Sequence, residues 1–240
     1  MTKNFDKITK KVANMYKKYP YPSPSTEVNQ TNELLNLLRI FELESNIQLK
    51  NKKFLDAGSG SGHRIVNVAQ HYKNCNFLGI DISDTSLKIS QTIKNKNNLK
   101  NIQFKKYNLM NPTFNLGKFD FILSMGVLHH LSNPNKGLEN ILKVLKKDGM
   151  IFVYLYGKLG GHKRILNKKL LSLLLNKKKS DYDLGIKLVR DLDMNKFEYG
   201  WNLNFKNKEE EDSLIVDSLL HANEKLYDFN DIHKLFKNSD

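Results

Sequence analysis

Apolar residues recur along this chain in two rhythms, and the rhythm changes twice. Between residues 52 and 157, short apolar runs at 53–57, 76–81, 102–107, 119–124 and 150–156 alternate with longer stretches. In those stretches, at 63–72, 84–97 and 135–147, apolar positions return at helical spacing. Buried strands separated by amphipathic helices predict an α/β fold: a Rossmann-like, doubly wound, mostly parallel sheet with helices on both faces and right-handed crossovers. Residues 1–47 read differently, as a helical N-terminal cap. Phe5, Ile8, Val12, Met15, Tyr16 and Tyr19 share one helical face, and Pro20, Pro22 and Pro24 then stop the helix. A second helix over about 31–44 follows, with Thr31 as its expected N-cap. Residues 158–240 lose the strand rhythm and read as a C-terminal helical extension of the 48–157 domain. Helices are expected at 163–179, at 181–192 and from Asp231 onward. No fixed-period repeat is present, which excludes a solenoid.

Composition narrows the class. The 240 residues suffice for one α/β domain with embellishments, and 40% hydrophobic with 27% charged residues excludes wholesale disorder. No run approaches the roughly 18 apolar residues of a membrane span. The charged start, MTKNFDKITKKVAN, has no apolar signal core, so a cytoplasmic chain is expected. Cys75 is the single cysteine, which excludes an internal disulfide or a cysteine metal cluster. The net charge of +14 raises nucleic acid as a partner. Against that, the charge is almost all lysine; arginine, the residue of phosphate and base forks, occurs only at 39, 64, 164 and 190. Abundant lysine beside asparagine reads better as compositional drift, so RNA stays an alternative partner.

The chemistry concentrates in FLDAGSGSGH, residues 54–63. An apolar strand ends at Asp56, and Gly58, Gly60 and Gly62 occupy alternate positions before a helix. Such a loop turns tightly and presents helix N-terminal amides to an anionic group. Asp81 ends the second strand nineteen positions after Gly62, where an acid accepts hydrogen bonds from ribose hydroxyls. These parts predict a nucleoside-binding half-sheet. The dinucleotide fingerprint Gly-x-Gly-x-x-Gly fails in either register, at His63 or Ile65, and no Gly-Lys-Ser/Thr follows for a P-loop.

FLDAGSGSGH, LGIDIS, FDFILSMGVLHHLSNP and LKKDGMIFVYLYG together resemble, in order and spacing, the class I S-adenosylmethionine-dependent methyltransferases. The resemblance covers about residues 52–157 and implies S-adenosylmethionine as cofactor. It implies that Asp56, Gly58, Ser59, Gly60 and Gly62 support the methionine end and that Asp81 holds the ribose, with Ile82 beside the adenine. Asn108 stands where the family often has an acid at the adenine amino group, with Leu109 next to it. Ser124, Met125 and Gly126 would lie near the sulfonium. YKKYPYP, residues 16–22, and DSLLHANEKLYDFNDI near the end are similar to bacterial members with a Tyr-Pro-rich lead-in. In that family two further antiparallel strands complete a seven-stranded sheet; here they are expected to be missing or replaced by a different arrangement.

The implied activity is methyl transfer to an O, N or C atom of an unidentified acceptor, a small molecule rather than RNA. A non-catalytic partner subunit is the remaining alternative. His129, His130 and Tyr21 are the candidates for a catalytic base, since histidine titrates near neutrality. No metal is expected, because adjacent histidines point apart and no acid or cysteine cluster accompanies them in sequence. Tyr16, Tyr19 and Tyr21 are expected in a lid. Tyr199 and Trp201 are candidate stacking residues. The leucines of 163–179 are expected to pack on the sheet or cover the site, rather than present a phosphate rail.

Overall fold

The computed structural model describes residues 5–111, 115–175, 181–194, 205 and 207–237. Five strands form one sheet: β1 Lys53–Ala57, β2 Asn76–Asp81, β3 Ile102–Lys106, β4 Phe119–Met125 and β5 Leu145–Tyr154. Their order is β3-β2-β1-β4-β5, and every described pairing is parallel. The chain runs outward from β1 to β3, then returns to place β4 on the other side of β1. That reversal opens a crevice at the carboxyl ends of β1 and β4, the place where such sheets bind ligands.

Side-chain alternation along the strands builds two cores. On one face, Phe54 stacks between Phe77 and Phe121 at centroid separations of 4.9 Å to each, because the register places all three side by side. The helices α2 (Glu33–Ser45), α3 (His63–His71) and α4 (Asp84–Lys96) cover this row, with Leu38, Ile65 and Ile93 packed into it. Burying each phenylalanine contributes about 1.5–3 kcal/mol before chain entropy is charged. On the other face Leu55, Ile80 and Ile122 meet α5 (Pro134–Leu142) and α9 (Phe229–Lys237). A third cluster stands apart from the sheet. Met15 and Tyr19 of the lead-in pack with Leu171, Ile186, Val189, Ile215 and Val216. These come from α1 (Lys7–Lys18), whose C-cap is Tyr19, and from α6 (His162–Leu174), α7 (Tyr182–Asp191) and α8 (Lys208–Leu219).

Local chemistry explains most boundaries. Asp6 caps α1 by accepting from the amides of Ile8 and Thr9, and Asn133 caps α5 by accepting from Lys136. Thr31 does not cap α2, contrary to the expectation. A 3₁₀ turn at Val28–Gln30 puts its hydroxyl on the Val28 carbonyl (2.7 Å), and Asn32 takes the cap position. The stretch 143–147 also departs from the helix expected over 135–147. α5 ends at Leu142, and β5 starts at Leu145 because Phe119 pairs with Leu145 and Lys146 reaches Asp120 at 2.8 Å.

Candidate functional site

The glycine loop leaves β1 with Gly58, Gly60 and Gly62 all at positive φ (+93°, +53°, +79°). Its amides are tied to β2: Gly58 and Ser59 donate to the Ile80 carbonyl, and Gly60 donates to Asp81 Oδ2 at 2.9 Å. Asp81 Oδ1 accepts from Ser83 N at 2.8 Å. The acid thus locks the loop, and each of its oxygens keeps lone pairs for a ligand. On its outer side the loop meets the proline-rich lead-in, where Ser61 N donates to the Tyr21 carbonyl. A Cβ built on Gly60 would lie 2.5 Å from that carbonyl oxygen, and one on Gly58 would lie 2.4 Å from Val127 Cγ2. Glycine is therefore required here by close backbone approach as well as by φ.

Above the loop lies a cavity of about 890 Å³, within the usual range for small-molecule sites. Of the expected cofactor residues, Gly58, Gly60, Asp81, Ile82, Asn108, Leu109, Met125 and Gly126 line it. Asp56, Ser59, Gly62 and Ser124 are not among its lining residues. Ser124 is fully buried inside β4, and Gly62 packs against Ser90 and Phe104. Asn108 turns its Oδ1 onto Met110 N (3.0 Å), so part of its acceptor capacity serves the turn. Asp56 is buried, and desolvation pushes its carboxyl up to about 7 despite nearby Arg64. Its folded pKa lies above its unfolded value. Its contribution therefore favours folding below about pH 4 and is lost as pH rises through about 7. Asp56→Asn is expected to raise the melting temperature at pH 8 and leave it unchanged at pH 4. Equal shifts at both pH values would show that the acid is not held protonated.

The structure separates the three candidate bases. His129 is fully buried against the Tyr156 ring (4.2 Å), and burial pushes its imidazole down to about 2. It does not line the cavity. His130 does line it. Its Nδ1 lies 2.8 Å from the Asn223 carbonyl, so Nδ1 carries the proton. Tyr21 lines the cavity too, and burial pushes its phenol up to about 12, which leaves it a donor rather than a base. Of the expected lid tyrosines, Tyr16 and Tyr21 line the cavity, whereas Tyr19 does not. Tyr19 sits edge-on to Tyr182 (5.5 Å) in the third cluster, with its hydroxyl on Asp183. Tyr199, Trp201 and Lys177–179 lie outside the described residues. Within α6, Lys168 pairs with Glu224 at 3.0 Å, and Leu171 joins the third cluster instead of the sheet, as does Leu175 just after the helix.

Two cavity groups escaped the sequence reading. Arg64, in the first turn of α3, lines the cavity and makes no ion pair with a described residue. Its position directly after the glycine loop, in a chain with four arginines, was the available signal. Asp217 comes from α8, and its Oδ1 accepts from the Tyr16 hydroxyl at 2.7 Å. The four-residue spacing of Asp217 and His221 hinted at a shared helical face. No sequence rule pairs either residue with a tyrosine two hundred positions away.

A family model described as a methyltransferase domain matches residues 48–211. The chain belongs to this methyltransferase family. Among solved structures, PKMT2 from Rickettsia typhi in complex with AdoHcy superposes with a TM-score of 0.58 at 25% identity. That match covers 80% of this chain and 39% of that one. An uncharacterised protein of Rickettsia prowazekii is 30% identical over 149 residues, 61% of this chain and 58% of its own. A ubiquinone biosynthesis O-methyltransferase of Coxiella burnetii is 28% identical over 119 residues, half of each chain. The chain thus spans less than two thirds of the length of these relatives. The chain has the class I, Rossmann-like fold of methyltransferases whose cofactor is S-adenosylmethionine. The cavity fits that cofactor's chemistry: an acid with spare lone pairs at a strand end, a loop with no room for a Cβ, and an unpaired guanidinium. No described helix is long and apolar enough to cross a membrane.

Proposed function

We propose that this methyltransferase moves a methyl group from S-adenosylmethionine to an O, N or C atom of a small-molecule acceptor, with both held in the one cavity. The observation that carries this reading is the cavity's two-sided wall. The glycine loop and Asp81 form one part, and Tyr16, Tyr21, His130 and Asp217 from outside the sheet form another. Asp81 holds the ribose hydroxyls, Ile82 and Leu109 flank the adenine, and Asn108 meets its amino group. Gly58, Gly60 and Arg64 take the methionine end, the guanidinium facing its carboxylate, while Met125 and Gly126 lie near the sulfonium. Asp56, Ser59, Gly62 and Ser124 act behind the wall by holding the loop and β4 in place.

When bound, the cofactor supplies a methyl carbon already activated on a sulfonium. The protein's part is to align the acceptor and exclude water. The lead-in does both, because it is pinned to the loop through Tyr21 and to α8 through Tyr16–Asp217 and Thr26–Glu210 (2.9 Å). Calorimetric titration with S-adenosylmethionine and S-adenosylhomocysteine, then transfer of labelled methyl to small-molecule extracts, tests the reading. Absence of binding overturns it. Gly60→Ala is expected to abolish detectable binding, since the new Cβ collides with the Tyr21 carbonyl and displaces the lead-in. Retained affinity would show that the lead-in does not close on the loop.

The charge of +14 keeps RNA in view as acceptor. Lys169→Gln, Lys177→Gln and Lys178→Gln together are expected to leave methyl transfer within about twofold of the parent. A steep loss, with a salt slope shallower by two or more units, would favour nucleic acid instead.

A further inference from the structure

His130, Asp217 and His221 bring one ligand-type atom each to within 4.8 Å of one another, all three side chains buried. Such a trio invites a metal, but the hydrogen bonds argue otherwise. His221 Nδ1 accepts from Asn223 N at 3.0 Å, so in the neutral ring Nε2 carries the proton. That Nε2 lies 3.1 Å from the Tyr16 oxygen, whose own proton goes to Asp217 Oδ1. A metal on His221 Nε2 would need an imidazolate or a broken backbone hydrogen bond. The chain His221 to Tyr16 to Asp217 is a donor relay, and it ends on a carboxylate.

That carboxylate is the unusual feature. Asp217 is buried and lines the cavity, yet no described cation pairs with it; Tyr16 is its one hydrogen-bond donor among the described residues. A buried anion without a cation is costly, and burial pushes the Asp217 carboxyl up, so its charged form calls for a cation brought from outside. Arg64, across the same cavity, favours its charge without forming an ion pair with it, and the other groups facing it do not offset the cost. Burial holds His130 and His221 neutral, and Lys168 and Arg164 are engaged by Glu224. Near Asp217, His130 lines the cavity and is pinned through Nδ1–H to the Asn223 carbonyl, which leaves the lone pair on Nε2. The rings of Tyr16 and Tyr21 line the same space, a favourable surround for a cation, while the Tyr156 ring already carries the Arg164 guanidinium at 4.6 Å.

We propose that the methyl acceptor is a primary or secondary amine that enters as its ammonium, held by Asp217, and that His130 Nε2 takes its proton. An amine satisfies both groups at once, with one N–H for the carboxylate and another for the imidazole; an alcohol has a single proton and no charge to offer. The step balances. The ammonium proton moves to His130, the freed nitrogen lone pair forms the bond to the methyl carbon, and the carbon–sulfur bond electrons return to sulfur. The N-methylated product leaves as an ammonium, and His130 returns its proton to solvent. This assignment rests on the proposed methyltransferase function and names its substrate class.

The test uses the full chain saturated with S-adenosylhomocysteine, whose own binding is measured first. Failure at that stage overturns the methyltransferase reading separately. Benzylamine and benzyl alcohol then serve as matched probes, followed by calorimetry and by nitrogen-15 signals of the histidine rings, with His130→Gln assigning the signal. His130 is expected as the Nδ1–H tautomer, with its Nε2 signal moved by benzylamine and not by benzyl alcohol. Asp217→Asn, which keeps shape and the Tyr16 hydrogen bond, is expected to weaken benzylamine by about ten- to a hundredfold. The same variant should leave the ratio of S-adenosylmethionine to S-adenosylhomocysteine affinity unchanged. No amine binding, equal binding of the alcohol, an Nε2–H tautomer, or amine affinity unaffected by Asp217→Asn overturns the proposal. So does selective loss of S-adenosylmethionine in that variant, which would assign Asp217 to the sulfonium.

Discussion

A chain beginning at Ser25 should keep its sheet and lose methyl transfer together with much of its stability. Read from sequence, residues 1–24 are a cap that the sheet can do without, and the strand hydrogen bonds do run only between β1 and β5. The third cluster changes the magnitude. Met15 is 1% exposed and Tyr19 8% exposed, and both pack against α6, α7 and α8 rather than the sheet. Removing one such methionine side chain costs about 2–5 kcal/mol, and the truncation removes both residues and the Tyr16–Asp217 hydrogen bond. The C-terminal helices should therefore loosen first, opening the cavity to water. Thermal unfolding followed by circular dichroism should show a much lower midpoint, and Met15→Ala alone should reproduce a large part of that drop. Unchanged melting of the shortened chain would mean that the third cluster contributes nothing to stability.

Asp81→Ala should weaken S-adenosylhomocysteine binding by roughly 1.5–3 kcal/mol, the range for hydrogen bonds to a charged group. Two losses combine. In the proposed mode of binding the ribose hydroxyls lose their acceptor, and the amides of Gly60 and Ser83 lose the carboxylate that fixes the loop. Asp81→Asn separates them: one carbonyl oxygen remains to accept, so its loss should be intermediate. Calorimetry on variants with native circular dichroism decides the matter, and full affinity in Asp81→Ala would remove the acid from the ribose.

What could be read from the chain alone was whatever depends on neighbours in sequence. Strand and helix alternation over 52–157 reports itself, because a side chain's face follows from its period. The glycine loop and Asp81 were legible for the same reason, as the end of one strand and of the next, in register. The errors were local contests that tertiary pairing settled. Residues 145–147 look helical by composition, yet Phe119 and Asp120 draw them into β5. Thr31 looks like a cap, but the turn before it takes its hydroxyl. His129 and His130 are equivalent in sequence, and burial lowers both; only the backbone at Asn223 gives His130 a fixed tautomer, and only His130 lines the cavity. Part of the cavity wall joins Tyr16 to Asp217 across two hundred residues. No periodicity encodes such a contact. The sequence by itself determined the sheet, its switch point and the cofactor loop, since each follows from short-range pattern. The tertiary structure alone decided which titratable groups line the cavity, because burial and long-range hydrogen bonds set their charge and direction.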